Sequence, residues 1–416
     1  MKKIKLYKQL IPAILLGTFF SMVFFSCEEY PNAYKHTDGV PEVSYVRITN
    51  PAAADSLLDG AFLGSNICIV GNNLRSIHEL YFNDQKAILN TSFITDHTII
   101  VNIPNTIPVD VSDKMYLIAF NGDTISYDFK IKVPAPSVNA ISCEYAHEGS
   151  EAVLIGDYFL DDPNVPLKIE FPGNLPVTDI ISIEKTQIRF IVPTGAIKGY
   201  INVTSLYGTG RSKFQYKDDR GMILDWDNLN ANGGWRSGNT SDIDGISGKY
   251  VVFKGDLDNG AWNEDGFSFN LWGTSNGRPE GDLFDATDLN NLLFKFEINI
   301  LSPWSACGMQ IIFTPWATSN TNGYYSDGTY PRALWIPWAT TGDGGTPGAY
   351  QTDGWITVTI PMSNFKYGPS GAALDGPLGA GNYGGLSMFV WNGGVNGSKC
   401  SPEMWIDNIR VVPVDK

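Results

Sequence analysis

Four segments in the second half of this chain alternate apolar and polar residues with a period of two, and that pattern leaves little besides half-buried antiparallel sheet. In FSFNLW (267–272), Phe267, Phe269 and Leu271 point one way, and Ser268, Asn270 and Trp272 the other. In FKFEINI (294–300), Phe294, Phe296, Ile298 and Ile300 take the core side, leaving Lys295, Glu297 and Asn299 outside. MQIIFTPW (309–316) sends Met309, Ile311 and Phe313 inward and leaves Gln310, Ile312, Thr314 and Trp316 outward. LSMFVW (386–391) buries Leu386, Met388 and Val390 against Ser387, Phe389 and Trp391. About eight such strands over some 200 residues predict a jelly-roll-like β-sandwich for 218–416. Abundant Gly and Asn and scarce helix formers agree with an all-β chain.

The first half repeats itself. ICIVGNNL (67–74) matches AVLIGDYFL (152–160), each an apolar strand ending at Gly71 or Gly156. TIIVNIP (98–104) matches QIRFIVP (187–193), closed by Pro104 and Pro193, and ISYDFKIKV (125–133) matches RSKFQYK (211–217). The offsets of 85, 89 and 86 residues (156 − 71, 187 − 98, 211 − 125) predict one small β-sandwich per repeat. The repeats occupy 41–133 and 135–217, and Pro134-Ala135-Pro136 makes a short stiff junction.

Chemistry is segregated along the chain. All 11 tryptophans follow residue 225, and all 4 histidines (His36, His78, His97 and His147) precede it. The formal charge is −15, and 22 Asp+Glu against 11 Lys+Arg from residue 218 give −11 there. Such a surface repels a phosphate backbone, so no nucleic-acid partner is expected, whereas a neutral polymer meets no such barrier. Trp272, Trp316 and Trp391 fall on outward faces beside Asn270, Gln310, Glu297 and Lys295. Flat rings beside amides and charges suit a pyranose, whose C–H face stacks while its hydroxyls take directional hydrogen bonds. Packing against other protein is the competing role for these three rings. Loops add Trp304, Tyr324 and Tyr325, and RALWIPW adds Trp335 and Trp338 with Arg332. Trp226, Trp355 and Trp405 stand at strand ends and are expected to be structural.

Other chemistries are weakly supported or excluded. No histidine follows residue 147, so Ser-His-Asp or Cys-His catalysis and His-ligated zinc have no place in the last domain. GDGGTPG (342–348) lacks the Lys-Ser/Thr of a phosphate loop. A glycosidase needs two carboxyl groups, and Glu297, Glu264 and Glu280 are the candidates. Glu280-Gly281-Asp282-Leu283-Phe284-Asp285 approaches the Glu-x-Asp-x-x-Glu strand motif of a jelly-roll glycanase family, but its glycine and its closing Asp suit a solvated turn. Asp225, Asp227 and Asp407 are candidate ligands for a structural calcium, and no other cofactor is expected. Cys68, Cys143, Cys307 and Cys400 are too widely spaced for zinc, though Cys307 and Cys400 share a domain and can pair.

The amino terminus reads as an export signal. Lys2, Lys3, Lys5 and Lys8 precede an apolar run, Leu10 to Phe25, which ends at Ser26-Cys27. A small residue before cysteine resembles a bacterial lipobox, although Phe24 stands where leucine is usual. Residues 1–27 are therefore expected to be a lipoprotein signal with Cys27 acylated, followed by a polar tether over 28–40. Glu28 and Glu29 resemble the acidic surface-export signal of Bacteroidota lipoproteins.

The I-x-G-x-x-(F/L) strand with a later v-x-v-P resembles the IPT/TIG immunoglobulin-like domain, twice over. GWITVTIPMSNF and MWIDNIRVV resemble closing segments of carbohydrate-binding jelly rolls. The whole chain resembles the IPT/TIG-containing surface glycan-binding proteins of Bacteroidota polysaccharide utilisation loci, with a terminal domain like their xyloglucan-binding domain. The resemblance implies a non-catalytic lipoprotein at the outer face of the outer membrane, working beside a SusC/SusD-like importer. It implies spacer sandwiches in front and a glycan platform behind, with xyloglucan or mixed-linkage glucan as ligand. That platform maps as a region onto Trp304, Trp316, Tyr324, Tyr325, Trp335 and Trp338.

Overall fold

The computed structural model describes residues 34–415 except 38, 232–237, 260–261, 275–276 and 320–324. The expected signal segment, Cys27, most of the tether and Tyr324 lie outside the described residues. Apart from the four-residue helix Glu264–Phe267 and short 3-10 turns, every described element is a strand. The chain divides into two compact units, Met1–Pro134 and Ala135–Lys416.

The first unit is a sandwich. Glu42–Ile48, Asn66–Asn72 and Thr98–Asn102 form one sheet, and Gln85–Lys86, Ile77–Phe82, Lys114–Ala119 and Thr124–Asp128 form the other. Its core gathers Val46, Ile67, Ile69, Leu80, Phe82, Ile99 and Leu117. The second unit opens with the same design. Ser137–Ile141, Glu151–Asp157, Gln187–Ile191 and Ile180–Glu184 face Leu175–Pro176, Lys168–Phe171, Asn202–Ser205 and Gly208–Arg211. The repeated glycine has a steric cause. A Cβ on Gly71 would stand 1.9 Å from the Glu42 carbonyl oxygen, and one on Gly156 1.8 Å from that of Ser137. Each glycine lies where its partner strand is bulged, between Val43 and Tyr45 and between Val138 and Ala140.

The rest of the second unit is a larger sandwich of two antiparallel sheets. One runs Asn239–Ser241, Tyr250–Lys254, Glu403–Pro413, Leu292–Ile300, Ile356–Pro361, with Met222–Leu224 also pairing Glu403–Pro413. The other runs Ser268–Leu271, Gly385–Val390, Met309–Thr314, Arg332–Trp335. Phe294, Phe296, Ile298, Ile300, Met309, Ile311, Leu386 and Met388 meet between the sheets, on the side the alternation assigned them.

The polar faces depart from expectation because both are covered. Lys295 and Glu297 are buried, since their face packs on the preceding sandwich. Arg410 donates to Glu297 Oε2 at 2.7 Å and to Glu144 Oε2 at 2.7 Å, and Lys295 donates to Glu144 Oε1 at 2.5 Å. Two carboxylates and two cations balance there, and the Thr357 hydroxyl adds a bond to Glu297 Oε1 at 2.9 Å. Burial works against the charge on Arg410, yet the Glu297 and Glu144 carboxylates hold its guanidinium more firmly protonated than usual. Glu297 is thus committed to joining two domains, which removes it as a ligand contact or catalytic carboxyl.

Cys307 and Cys400 are not joined to each other: Cys307 Sγ contacts the Asp258 carbonyl, and the Ser305 N–H points to Cys400 Sγ. Asp225, Asp227 and Asp407 do not converge, and no group of three metal-binding side chains occurs among the described residues. Asp225 receives the Asn228 and Leu229 amides, Asp227 that of Lys249, and buried Asp407 the Ser247 hydroxyl.

Candidate functional site

The outward positions of Gly385–Val390 lead to Phe389 and then Trp391, two residues on. Their rings lie parallel, 6.0 Å apart at 11°. Trp262 stands edge-on against both, its ring centre 4.9 Å from Phe389 and 5.3 Å from Trp391. Tyr325 closes the group at 4.6 Å from Trp262. Phe389 is buried, Tyr325 and Trp391 are half-buried, and Trp262 is 46% exposed, the most open large aromatic among the described residues of this domain. An indole raised on an aromatic base offers a sugar a rigid apolar contact.

The loop that carries Trp262 is held at several points. Leu257 and Cys400 exchange backbone bonds at 2.8 and 3.0 Å. The Asn259 side chain donates to the Gly397 carbonyl and accepts the Gly397 N–H. Asn263 then caps the short helix by accepting the Gly266 N–H at 3.1 Å. Asn259 and Asn263, on either side of Trp262, are thus anchored by their own hydrogen bonds.

Polar residues expected at the ligand turn out to support this group from beneath. Arg332, fully buried, donates to the Tyr325 carbonyl at 2.7 Å, the Asp327 carbonyl at 2.9 Å and Gln310 Oε1 at 2.8 Å. Gln310, also buried, donates onward to the Trp391 carbonyl at 2.6 Å. The pair ties the Tyr325 loop to the strand end bearing Trp391. Asn270 is buried opposite Ser387 in the same sheet.

The other predicted rings scatter. Trp304 and Trp338 are 0% exposed, and their indole N–H groups donate to the Ala306 and Cys307 carbonyls. They belong to the core, which corrects the expectation that they meet ligand: an apolar ring whose one donor is satisfied internally is most stable buried. Trp272 and Trp316 are half-buried at the Gly384–Gly385 end, about 20 Å along the strand from Trp391. Trp335 lies at the sandwich edge, half-buried. Of the predicted rings, Tyr325 and Trp391 come together in the exposed cluster, whereas Trp304 and Trp335 meet at 5.7 Å on the core side. Trp262 carried no periodic signal, and its only cue is an aromatic residue within a turn rich in Asn, Asp and Gly.

Comparison with known proteins agrees with the architecture. Residues 216–413 match the family described as the surface glycan-binding protein B xyloglucan binding domain. An IPT/TIG domain-containing protein of Bacteroides ovatus is 26% identical over 202 residues, 45% of this chain and 41% of that protein. The match thus spans about two fifths of that relative's length. The crystal structure of the surface glycan-binding protein PbSGBP-B from Prevotella bryantii is 36% identical with a TM-score of 0.76, covering 90% of this chain and 99% of that one. With 36% identity over 90% of its length to that structure, the chain belongs to the surface glycan-binding protein B family.

Proposed function

We propose that the protein captures a neutral polysaccharide of the β-glucan class, such as xyloglucan or mixed-linkage glucan, on the Trp262–Tyr325–Trp391 cluster and does not cleave it. The observation that carries this reading is the half-exposed Trp262 indole on a pre-ordered aromatic base, within the segment matched by the xyloglucan-binding family. The acidic surface favours an uncharged ligand, and the engagement of Glu297 in the domain junction supports binding without hydrolysis. The lipobox-like Ser26-Cys27 supports anchoring through an acylated Cys27 to the cell outer membrane, exposed at the surface. The two leading sandwiches then act as spacers, and a SusC/SusD-like import complex is the proposed partner.

Electrophoresis through gels holding xyloglucan or mixed-linkage glucan tests the reading. The full-length protein is expected to be retarded and to leave the polymer intact. Trp262→Ala should remove most of the retardation, because stacking on an aromatic ring is worth about 1–3 kcal/mol for a nucleobase and a sugar's C–H face makes a contact of similar or smaller worth. Clearing of the polymer, or unchanged retardation of the variant, contradicts the proposal.

A further inference from the structure

We propose that a second sugar-stacking cleft lies at the lateral edge of the terminal sandwich, built on Trp335 and Tyr367. It takes a neutral pyranose of the same chain that Trp262 holds, and so rests on the glycan-binding reading above. Arg332–Trp335 is the last strand of one sheet and Ile356–Pro361 the last of the other. Between these edges opens a cavity of about 470 Å³, within the usual size of small-ligand sites. Tyr367 is brought there by paired backbone bonds with Arg332, each 3.0 Å.

The lining has the two-sided chemistry of a sugar site. Trp335 packs one way on Phe296, Trp304 and Tyr350, at 5.8, 5.7 and 5.9 Å between ring centres, and the rest of its ring lines the cleft. The Trp335 indole N–H, the Tyr367 hydroxyl and the Asn364 amide have no hydrogen-bond partner among the described residues. No lining residue is charged. A charged ligand would find no counter-charge there, and a purely apolar one would strand these three polar groups away from water. A pyranose presents a C–H face to the rings and hydroxyls to those groups.

The cleft adjoins the Trp262 cluster. Gln310 donates to the Trp391 carbonyl, in the first site, and to the Pro369 carbonyl at 3.2 Å, beside Tyr367. Gly393 and Val395, just past Trp391, form part of the cleft wall. An extended glycan can therefore run from one site into the other.

Full-length protein labelled with ¹⁵N-tryptophan tests this directly. Trp335→Phe and Trp262→Phe assign two indole signals in the unliganded protein. Xyloglucan and mixed-linkage β-glucan oligosaccharides, from the shortest repeat upward, are then titrated into the wild type. The longer oligosaccharides are expected to shift both indoles. Tyr367→Phe and Asn364→Ala, which leave the core untouched, should weaken polymer binding about fivefold without moving the melting midpoint. A shift at Trp262 alone, with both variants at wild-type affinity, overturns the cleft and leaves the primary reading standing. No shift at either indole overturns both.

Discussion

Single residues in the terminal sandwich divide by what their polar atoms can reach. Trp304 and Trp338 satisfy their N–H groups on nearby carbonyls and fill the core, while about half of Trp262 is open to solvent. Trp338→Ala should therefore cost about 3–5 kcal/mol of stability in denaturant titration. Trp262→Ala should cost little stability and most of the binding. Asp407 poses a different problem. Burial pushes its carboxyl up to about 8, with the Ser247 hydroxyl and the Asn408 amide pulling the other way. Its folded value stands above the unfolded one of about 3.9, so the protonated form is the one folding favours. The stability it contributes is complete below about pH 4 and is lost as pH rises through about 8. Asp407→Asn keeps an acceptor for Ser247 and has no charge to bury. Melting midpoints against pH should show the variant gaining on the wild type across that window, by several degrees at its alkaline end.

At the scale of strands, period two was the readable signal, and it located the core faces of 267–271, 294–300, 309–313 and 386–390. Alternation says only that a strand has two unlike faces. It does not say whether the polar one meets water, a loop or another domain. Lys295 and Glu297 meet a domain, and Gln310 meets the Tyr325 loop through Arg332, so residues read as ligand contacts became scaffold. Trp262 was illegible for the converse reason: it sits in a turn, where no periodicity exists to mark a face. The repeat in the first half was legible because backbone sterics write it into the sequence. Gly71→Ala and Gly156→Ala each push a methyl group into a neighbouring strand's carbonyl. Each should destabilise its own sandwich by roughly 1–3 kcal/mol, read from thermal melts of the full chain.

At the scale of the molecule, the second immunoglobulin-like sandwich is more than a repeat of the first, because its Glu144 is buried against Lys295 and Arg410 of the terminal sandwich. Backbone bonds cross the same junction: the Thr357 N–H donates to the Ser142 carbonyl, and the Thr357 hydroxyl accepts the Glu144 N–H at 2.7 Å. Arg220 adds a half-buried pair of contacts, to Asp218 and to Asp415 near the chain end. Nothing in local sequence could reveal such a joint, since Glu144 and Arg410 are 266 positions apart. Its energetics give a sharp expectation. Removing one member of a buried ion network leaves the others desolvated without compensation, at a cost of about 3–5 kcal/mol. Glu144→Ala should therefore lower the unfolding midpoint of the terminal sandwich, although the substitution lies in the domain before it. The two sandwiches of this unit should unfold in one transition in the wild type. Screening by about 1 M salt should leave that midpoint nearly unmoved, because salt reaches buried pairs poorly. A terminal sandwich that melts at the same midpoint with and without Glu144 would mean that packing alone holds the junction and that the four charges merely neutralise one another.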